Sequence, residues 1–263
     1  MRTLPAFLVT ALCVACGTPG DVPDALQRDA LAPTHVLRVG VYQGSPTSLV
    51  RDASGQDHGV AIEMGRELAH RLAVPYRQIE FKRISEVLDA VKSGDVDFAI
   101  SNATASRAKD VYFTQAVLSI ELGYLVPNGS QLRSMEEVDR AAVRVGVTQG
   151  STSQTTLSKY LTQASVVPVA NVVAAREKLS RGELEAFATN KAILFELADG
   201  IPGSTVLAGN WGVESVAVAI PKGRDAGVSY LRRFVDDAKK SGLVSGASSR
   251  AGLRGAAAAP PGG

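Results

Sequence analysis

The chain has 263 residues, 45% of them hydrophobic and 21% charged, and a formal net charge of +2. So even a balance excludes a polyelectrolyte partner such as nucleic acid, and aromatic residues at 5% leave few platforms for stacked bases. The length suits one large domain or two small ones.

The first residues read as an address. Arg2 precedes an apolar stretch over residues 4–15, which is shorter than the roughly 20 residues a membrane-spanning helix needs. It fits the apolar region of a secretory signal. Cys13 and Cys16 are the only two cysteines, so the body of the chain has neither a disulfide nor a thiolate metal site. His35, His58 and His70 form no i, i+4 pair and no His-x-His, and read as solvated positions. No metal and no cofactor is expected. Residues 16–35, rich in Pro, Ala, Asp and Gly, read as a flexible tether.

Strand and helix signals then alternate, the pattern of βαβ units in a mostly parallel sheet. Residues 37–41 predict a strand. Val60, Met64, Leu68 and Leu72 recur at helical spacing and stop before Pro75. A strand over 79–81 follows, then a helix capped by Ser85 and running to residue 91, then a strand over 96–100. Asp95 and Asp97 beside that strand read as solvated surface. The second half gives a strand over 143–147, a helix over 151–161 with hydroxyl-rich capping residues, and a short strand over 166–169. A helix over 172–179, a strand over 186–188 and a helix over 191–198 come next. The stretch 211–221 is a further strand, and 224–241 an amphipathic helix carrying Val228, Leu231, Phe234, Val235 and Ala238. Residues 251–263 read as a disordered tail. Two extended stretches, 119–127 and 213–221, are placed to cross between two lobes.

A near-repeat organises these elements. Arg38-Val39-Gly40-Val41-Tyr42-Gln43-Gly44-Ser45 returns as Arg144-Val145-Gly146-Val147-Thr148-Gln149-Gly150-Ser151. Behind each copy, Gly94-Asp95-Val96-Asp97 is echoed by Gly182-Glu183-Leu184-Glu185. Both copies present a polar loop at the carboxyl end of a strand, where open α/β sheets bind ligands. Strand–Gly–Ser–helix turns are also generic, and that reading stands beside the first. The catalytic signals are thin: no Gly-x-Ser-x-Gly elbow, no P-loop, and a buried Glu (Glu214 or Glu185) as the only candidate acid or base.

On these elements the chain resembles the bacterial extracellular solute-binding proteins, family 3, which serve polar amino acid ABC transporters. The elements are Leu37-Arg38-Val39-Gly40-Val41, Gly59-Val60-Ala61-Ile62-Glu63-Met64, Gly94-Asp95-Val96-Asp97, Asn102-Ala103-Thr104-Ala105-Ser106-Arg107, Val145-Gly146-Val147-Thr148-Gln149-Gly150-Ser151-Thr152 and Val216-Ala217-Val218-Ala219-Ile220-Pro221-Lys222-Gly223. The resemblance implies an α/β, two-lobed, type II periplasmic-binding-protein-like clamshell. Each lobe is a mostly parallel sheet flanked by helices, and a double hinge joins them. Lobe 1 would comprise residues 36–119 and 218–250, and lobe 2 residues 120–217. Leu12-Cys13-Val14-Ala15-Cys16 resembles the lipobox of bacterial lipoproteins, which implies a signal peptide over 1–15 and acylation of Cys16. Cleavage without a lipid is the alternative, and Cys13 as the acylated residue a poorer one.

The resemblance also implies a site. Arg107 stands where relatives grip the ligand's carboxylate, in a loop about two residues shorter than theirs; its alternative is a surface ion pair with Asp110. Ser101, Asn102 and Thr104 would assist from the same lobe, with Tyr42 and Ser45 on the first loop. Ser151 and Thr152 open a helix whose N-terminus favours an anion, or serve simply as its cap. Asn190 stands where relatives carry an Asp for the ligand's ammonium, and Lys191 follows it. That argues for an anionic solute over an ordinary zwitterion, unless Glu214 on the return crossing replaces the carboxylate. The implied function is a monomeric, lipid-anchored solute-binding protein that delivers a small anionic or amino-acid-like solute to ABC permease subunits, in the periplasm or at the cell exterior. An enzyme of dehydratase or lyase type on the same fold, and a ligand-sensing subunit for a membrane receptor, are the alternatives.

Overall fold

The structure is a computed structural model and describes residues 22–259. The expected signal peptide, Cys13 and Cys16 lie outside the described residues. Helix α1 (Ala25–Leu31) leads into β1 (Leu37–Tyr42), then a small hairpin of β2 (Val50–Arg51) and β3 (Asp57–His58). Next come α2 (Val60–Arg71), β4 (Tyr76–Phe81), α3 (Ile84–Ser93) and β5 (Phe98–Asn102), and the long strand β6 (Val111–Val126) crosses to the second half. That half runs β7 (Arg144–Thr148), α4 (Thr152–Tyr160), β8 (Ser165–Val169), α5 (Val172–Ser180), β9 (Ala186–Asn190), α6 (Lys191–Asp199) and β10 (Thr205–Val206). The return crossing β11 (Gly212–Pro221) is followed by α7 (Asp225–Lys240), α8 (Leu243–Arg250) and β12 (Ala256–Ala258).

The main sheet has the order β4-β1-β5-β11-β6-β9-β7-β8. In one half β1 lies parallel between β4 and β5; in the other β7 lies parallel between β8 and β9. The sequence repeat is therefore a repeat of strand order, centred on the antiparallel pair β11 and β6. That pair runs from Gly212 opposite Leu122 to Pro221 opposite Val111, with register shifts between Val216 and Ala219. Each lobe carries a hydrophobic core on both faces of its sheet, as strand alternation requires. Ala186 and Ala188 of β9 face the core containing Leu157, while Phe187 between them faces the core containing Leu194 and Leu197.

The repeat also carries a shared clamp. Arg38 donates from its backbone N and its Nε to Asp97 Oδ2 (3.0 and 2.8 Å), and from Nη2 to Gly94 O (2.6 Å). Arg144 makes the same set to Glu185 Oε2 (2.8 and 2.9 Å) and Gly182 O (2.6 Å). In return, the Asp97 and Glu185 backbone N–H groups donate to Arg38 O and Arg144 O. The glycine two residues after each Arg has a steric reason. A Cβ on Gly40 would meet Val96 at 3.0 Å, and one on Gly146 would meet Leu184 at 2.5 Å. Both clashing residues belong to the trailing echo.

Several expectations need correction. Asp97 is buried, not solvated: the clamp takes it, and Arg224 at the start of the last long helix adds a bond at 3.2 Å. Within the expected tether, α1 forms with a capping box at Asp24 and Gln27, and Leu31 packs against Gly227 of α7. Within the expected tail, β12 pairs with Leu118, Ser119 and Ile120 of β6, and Arg254 pairs with Asp199 of α6. Ser85 lies inside α3, one residue after its start, and is not its cap. His58 is half-buried and contacts Asp52.

The two clamps differ in burial: the Asp97 side chain is 0% exposed and that of Glu185 35%. Asp97→Ala strands two guanidinium groups and is expected to cost about 3–5 kcal/mol. Glu185→Ala, partly wet, is expected to cost about 1 kcal/mol or less. Denaturant titration of both variants checks the order; equal costs would refute it.

Candidate functional site

The carboxyl ends of β1, β5, β7 and β9 point toward one another across the crossing strands. There they enclose a cavity of about 50 Å³, room for a few water-sized groups. Tyr42, Ser101, Asn102 and Arg107 line it from the first lobe, and Ser151, Thr152 and Asn190 from the second, with Glu214 on β11 between them. The lobes are in contact. Asn102 Nδ2 donates to Thr152 Oγ1 at 3.3 Å. A Cβ on Gly150 would lie 2.8 Å from Ser85, and one on Gly44 3.0 Å from Val172. Both glycines also have left-handed φ, +74° and +87°, so each loop needs glycine for its turn as well as for its approach to the other lobe.

Arg107 begins a short 3-10 turn, Arg107–Lys109, and its backbone N donates to Thr104 Oγ1 at 3.2 Å. Nη1 donates to Ser101 Oγ (2.8 Å) and Asn102 O (3.2 Å). Nε and Nη2 have no partner among the described residues, and no carboxylate lies within ion-pair distance. The alternative pairing with Asp110 is not formed, because Asp110 pairs with Lys92 at 2.8 Å. Loss of water lowers the Arg107 pKa, and nearby Glu214 and Tyr42 partly oppose that. A half-buried cation held by neutral oxygens is a receptor for an anion.

Glu214 is buried, and burial pushes its carboxyl up to about 7 against the favourable effects of Asn190 and Arg107. Oε1 accepts from Asn190 Nδ2 at 2.7 Å. Asn190 in turn caps α6, its Oδ1 accepting from Ile193 N at 3.1 Å, so the amide is held at both ends. The carboxyl group that Asn190 lacks thus stands next to it, on the crossing strand β11. Lys191 does not oppose it: its Nζ contacts Glu121 at 2.5 Å, and the residue does not line the cavity. Of the two candidate acid–base residues only Glu214 is in the cleft; Glu185 is held by Arg144, which lowers its pKa.

The remaining expected residues divide. Ser151 caps α4, accepting from Gln154 N at 3.1 Å, and lines the cavity too. The Tyr42 ring faces the cavity, its phenol pushed up to about 12 by burial. Ser45 is buried behind the cavity wall, its hydroxyl 3.0 Å from that of Thr47 and interacting with the Tyr42 phenol, and both of those residues line the cavity. Thr104 faces a neighbouring cavity instead. Thr47, Thr148, Thr189 and the apolar wall of Ile84, Ile100 and Val172 were not singled out from the sequence. Thr148 and Thr189 end β7 and lie near the end of β9, so the strand-end rule would have found them. Among the described residues no group of three or more His, Cys, Asp or Glu could hold a metal.

The model of bacterial extracellular solute-binding proteins, family 3, matches residues 37–250. The ABC transporter glutamine-binding protein GlnH of Bacillus subtilis (strain 168) is 24% identical over 248 residues, 91% of this chain and 90% of that protein. The solute receptor for L-cysteine of Neisseria gonorrhoeae superposes with a TM-score of 0.76 at 23% identity, covering 85% of this chain and 92% of that one. The ancestral amino acid-binding protein AncCDT-1, a precursor of cyclohexadienyl dehydratase, superposes with a TM-score of 0.74 at 22% identity over 85% and 98% of the two chains. These solved structures establish the two-lobed clamshell fold.

Glu214 has a consequence for stability. Between about pH 4.5 and 7 the unfolded chain releases this proton while the folded chain keeps it. Stability is therefore lost as pH rises through that window, by about 3 kcal/mol from this one group. Denaturant titrations of the wild type and Glu214→Gln across that range should diverge with pH; parallel curves would refute the assignment.

Proposed function

The chain belongs to the bacterial extracellular solute-binding proteins, family 3, and from that premise we propose that it is the extracytoplasmic solute-binding component of an ABC uptake system. The solute is amino-acid-like and is enclosed between the lobes. The observation that carries this is the pairing of opposite charges without contact. Arg107 offers unengaged guanidinium donors, and Glu214 faces it from the hinge strand with Oε2 accepting no hydrogen bond among the described residues. A carboxylate on Arg107, completed by the N-terminus of α4 at Ser151 and Thr152, and an ammonium at Glu214 satisfy both. Ser101 and the Asn102 carbonyl hold Arg107, and Thr104 fixes the turn it starts.

This shifts the expected solute from a simple anion toward a zwitterion, since Glu214 supplies the negative charge and Lys191 is engaged elsewhere. Relatives named for glutamine and for L-cysteine accord with that. Because the charges come from separate parts of the clamshell, a ligand gains both contacts only when the cleft is shut, and so shifts the population toward closure. The same reading includes a signal peptide over residues 1–15, acylation of Cys16, a monomer, and docking to permease subunits. A second reading, proton-transfer catalysis of dehydratase type, is favoured by one observation. Glu214 sits in the cleft with a pKa near neutrality, and the fold is shared with the dehydratase precursor AncCDT-1.

A thermal-shift screen of amino acids and dicarboxylates is expected to yield a zwitterionic hit. At about 100 times its Kd such a ligand adds roughly 2.7 kcal/mol. Arg107→Ala should weaken that ligand about 100-fold, and unchanged affinity would sink the assignment. Affinity should also fall as pH drops below about 7, where Glu214 becomes neutral. Asn190→Asp, by setting a second carboxylate against Glu214, should weaken binding. Conversion of the hit to product, followed by NMR, would favour the enzyme reading.

A further inference from the structure

A second and larger cavity opens beside the hinge, with about 570 Å³ of room. Leu122, Tyr124, Leu157, Tyr160, Trp211 and Val213 give it an apolar and aromatic wall. It adjoins the polar cavity: Asn102, Thr152 and Glu214 line both, and the Asn102–Thr152 hydrogen bond spans the boundary between the lobes. The Tyr124 and Trp211 rings lie 6.2 Å apart at a 39° tilt, and Trp211 Nε1 donates to Gly123 O at 3.0 Å, which fixes the indole. Tyr160 of α4 and Val213 of β11 are 74% and 61% exposed, so this apolar surface is built but uncovered.

The two volumes divide the work. About 50 Å³ accepts the charged head of a small solute and no sizeable side chain, whereas about 570 Å³ lies within the roughly 300–1,000 Å³ of ligand pockets. We propose that the hinge-side cavity is a side-chain compartment of the ligand site, so that the solute is an α-amino acid with an apolar or aromatic side chain that passes Glu214 and lies against Trp211 and Leu157. This rests on Arg107 and Glu214 binding the head group. Glu214 stands at the junction, where it holds the ammonium with Oε2 while Asn190 holds Oε1. Beyond it the wall offers an aromatic face and aliphatic side chains, with hydroxyls of Thr104, Thr156 and Ser215 at the margin.

Trp211 is the chain's single tryptophan, so its emission reports on the compartment directly. Alanine and phenylalanine share one head group and differ only in the tail; calorimetric titration of both, with Trp211 emission followed in parallel, separates the two cavities. Phenylalanine is expected to bind at least about tenfold more tightly than alanine and to change Trp211 emission, which alanine should not. Thr156→Phe, which fills the compartment from half-buried helix surface, should abolish the preference and leave alanine affinity unchanged. Tyr160→Ala, at an exposed position, should reduce the preference. Equal affinity for the two amino acids, or a preference that survives both substitutions, overturns the compartment. Arg107→Ala tells the two failures apart. If it abolishes binding of both amino acids while no preference exists, the compartment alone falls. If it leaves both affinities unchanged, or if neither amino acid binds the wild type, the head-group assignment falls and takes the compartment with it.

Discussion

Two arginine–carboxylate clamps, Arg38 with Asp97 and Arg144 with Glu185, set the frame on which the cleft is built. In each, one carboxylate oxygen receives both the backbone N–H and the Nε of the arginine, and the guanidinium reaches on to a glycine carbonyl. The inner strands need this help. β1 and β5 are in register over only two residue pairs, Val39 with Phe98 and Gly40 with Ala99, and β7 and β9 likewise over two. A one-residue slip would turn Ser101 or Thr189 to the wrong face of the sheet. The clamps stand at the amino ends of these strands and the cavity-lining residues at the carboxyl ends, so fixing the first fixes the second. Gly40 and Gly146 allow the close approach at which Val96 and Leu184 pack.

The cleft uses charge in the opposite way. At the clamps each carboxylate is paired within the chain, Glu185 with Arg144 and Asp97 with both Arg38 and Arg224, and the result is rigidity. Between the lobes Arg107 and Glu214 are desolvated, attract each other at a distance, and form no ion pair. Burying such groups is costly unless a partner arrives. A ligand with complementary charges supplies that partner, so the unfavourable electrostatics of the empty cleft become part of the driving force for filling it. The Asn190 amide, itself held as the cap of α6, binds one oxygen of Glu214 on the side of the second lobe.

Most of the architecture was legible in the sequence because it is written in local patterns. Alternating strand and helix periodicity placed the main strands and helices of both halves but not α1, β2, β3, β10, α8 or β12, and the repeated Arg-x-Gly string with its echo marked the two halves. What was misread depended on partners distant in sequence. Asp97 looked solvated beside its strand because nothing local announces Arg224, which approaches from the far end of the chain. Helix α1 is short and draws its stability from Leu31 docking on α7, and β12 exists only as an addition to β6. Within the site, the arginine loop and the hydroxyl turn were visible as motifs. The carboxyl group beside Asn190 was visible only as a possibility, since it comes from the return crossing β11 rather than from the end of β9.

The strand β12 alters the mechanics of that hinge. In its middle, around Leu118–Ile120, β6 is paired with β11 on one edge and with β12 on the other. Just beyond, Arg254 and Gly255 lean on Asp199 and Lys191 of the second lobe's helix α6. The flexural element is therefore three strands wide and is strapped to the lobe that must swing. Bending stiffness rises with the width of a ribbon, so opening works against a stiffer spring than two bare crossings would provide. A spring that rests near the shut position raises the share of empty molecules already competent to bind, and so lowers the conformational tax on affinity. Strand β12 thus bears on the hinge without lining the cavity.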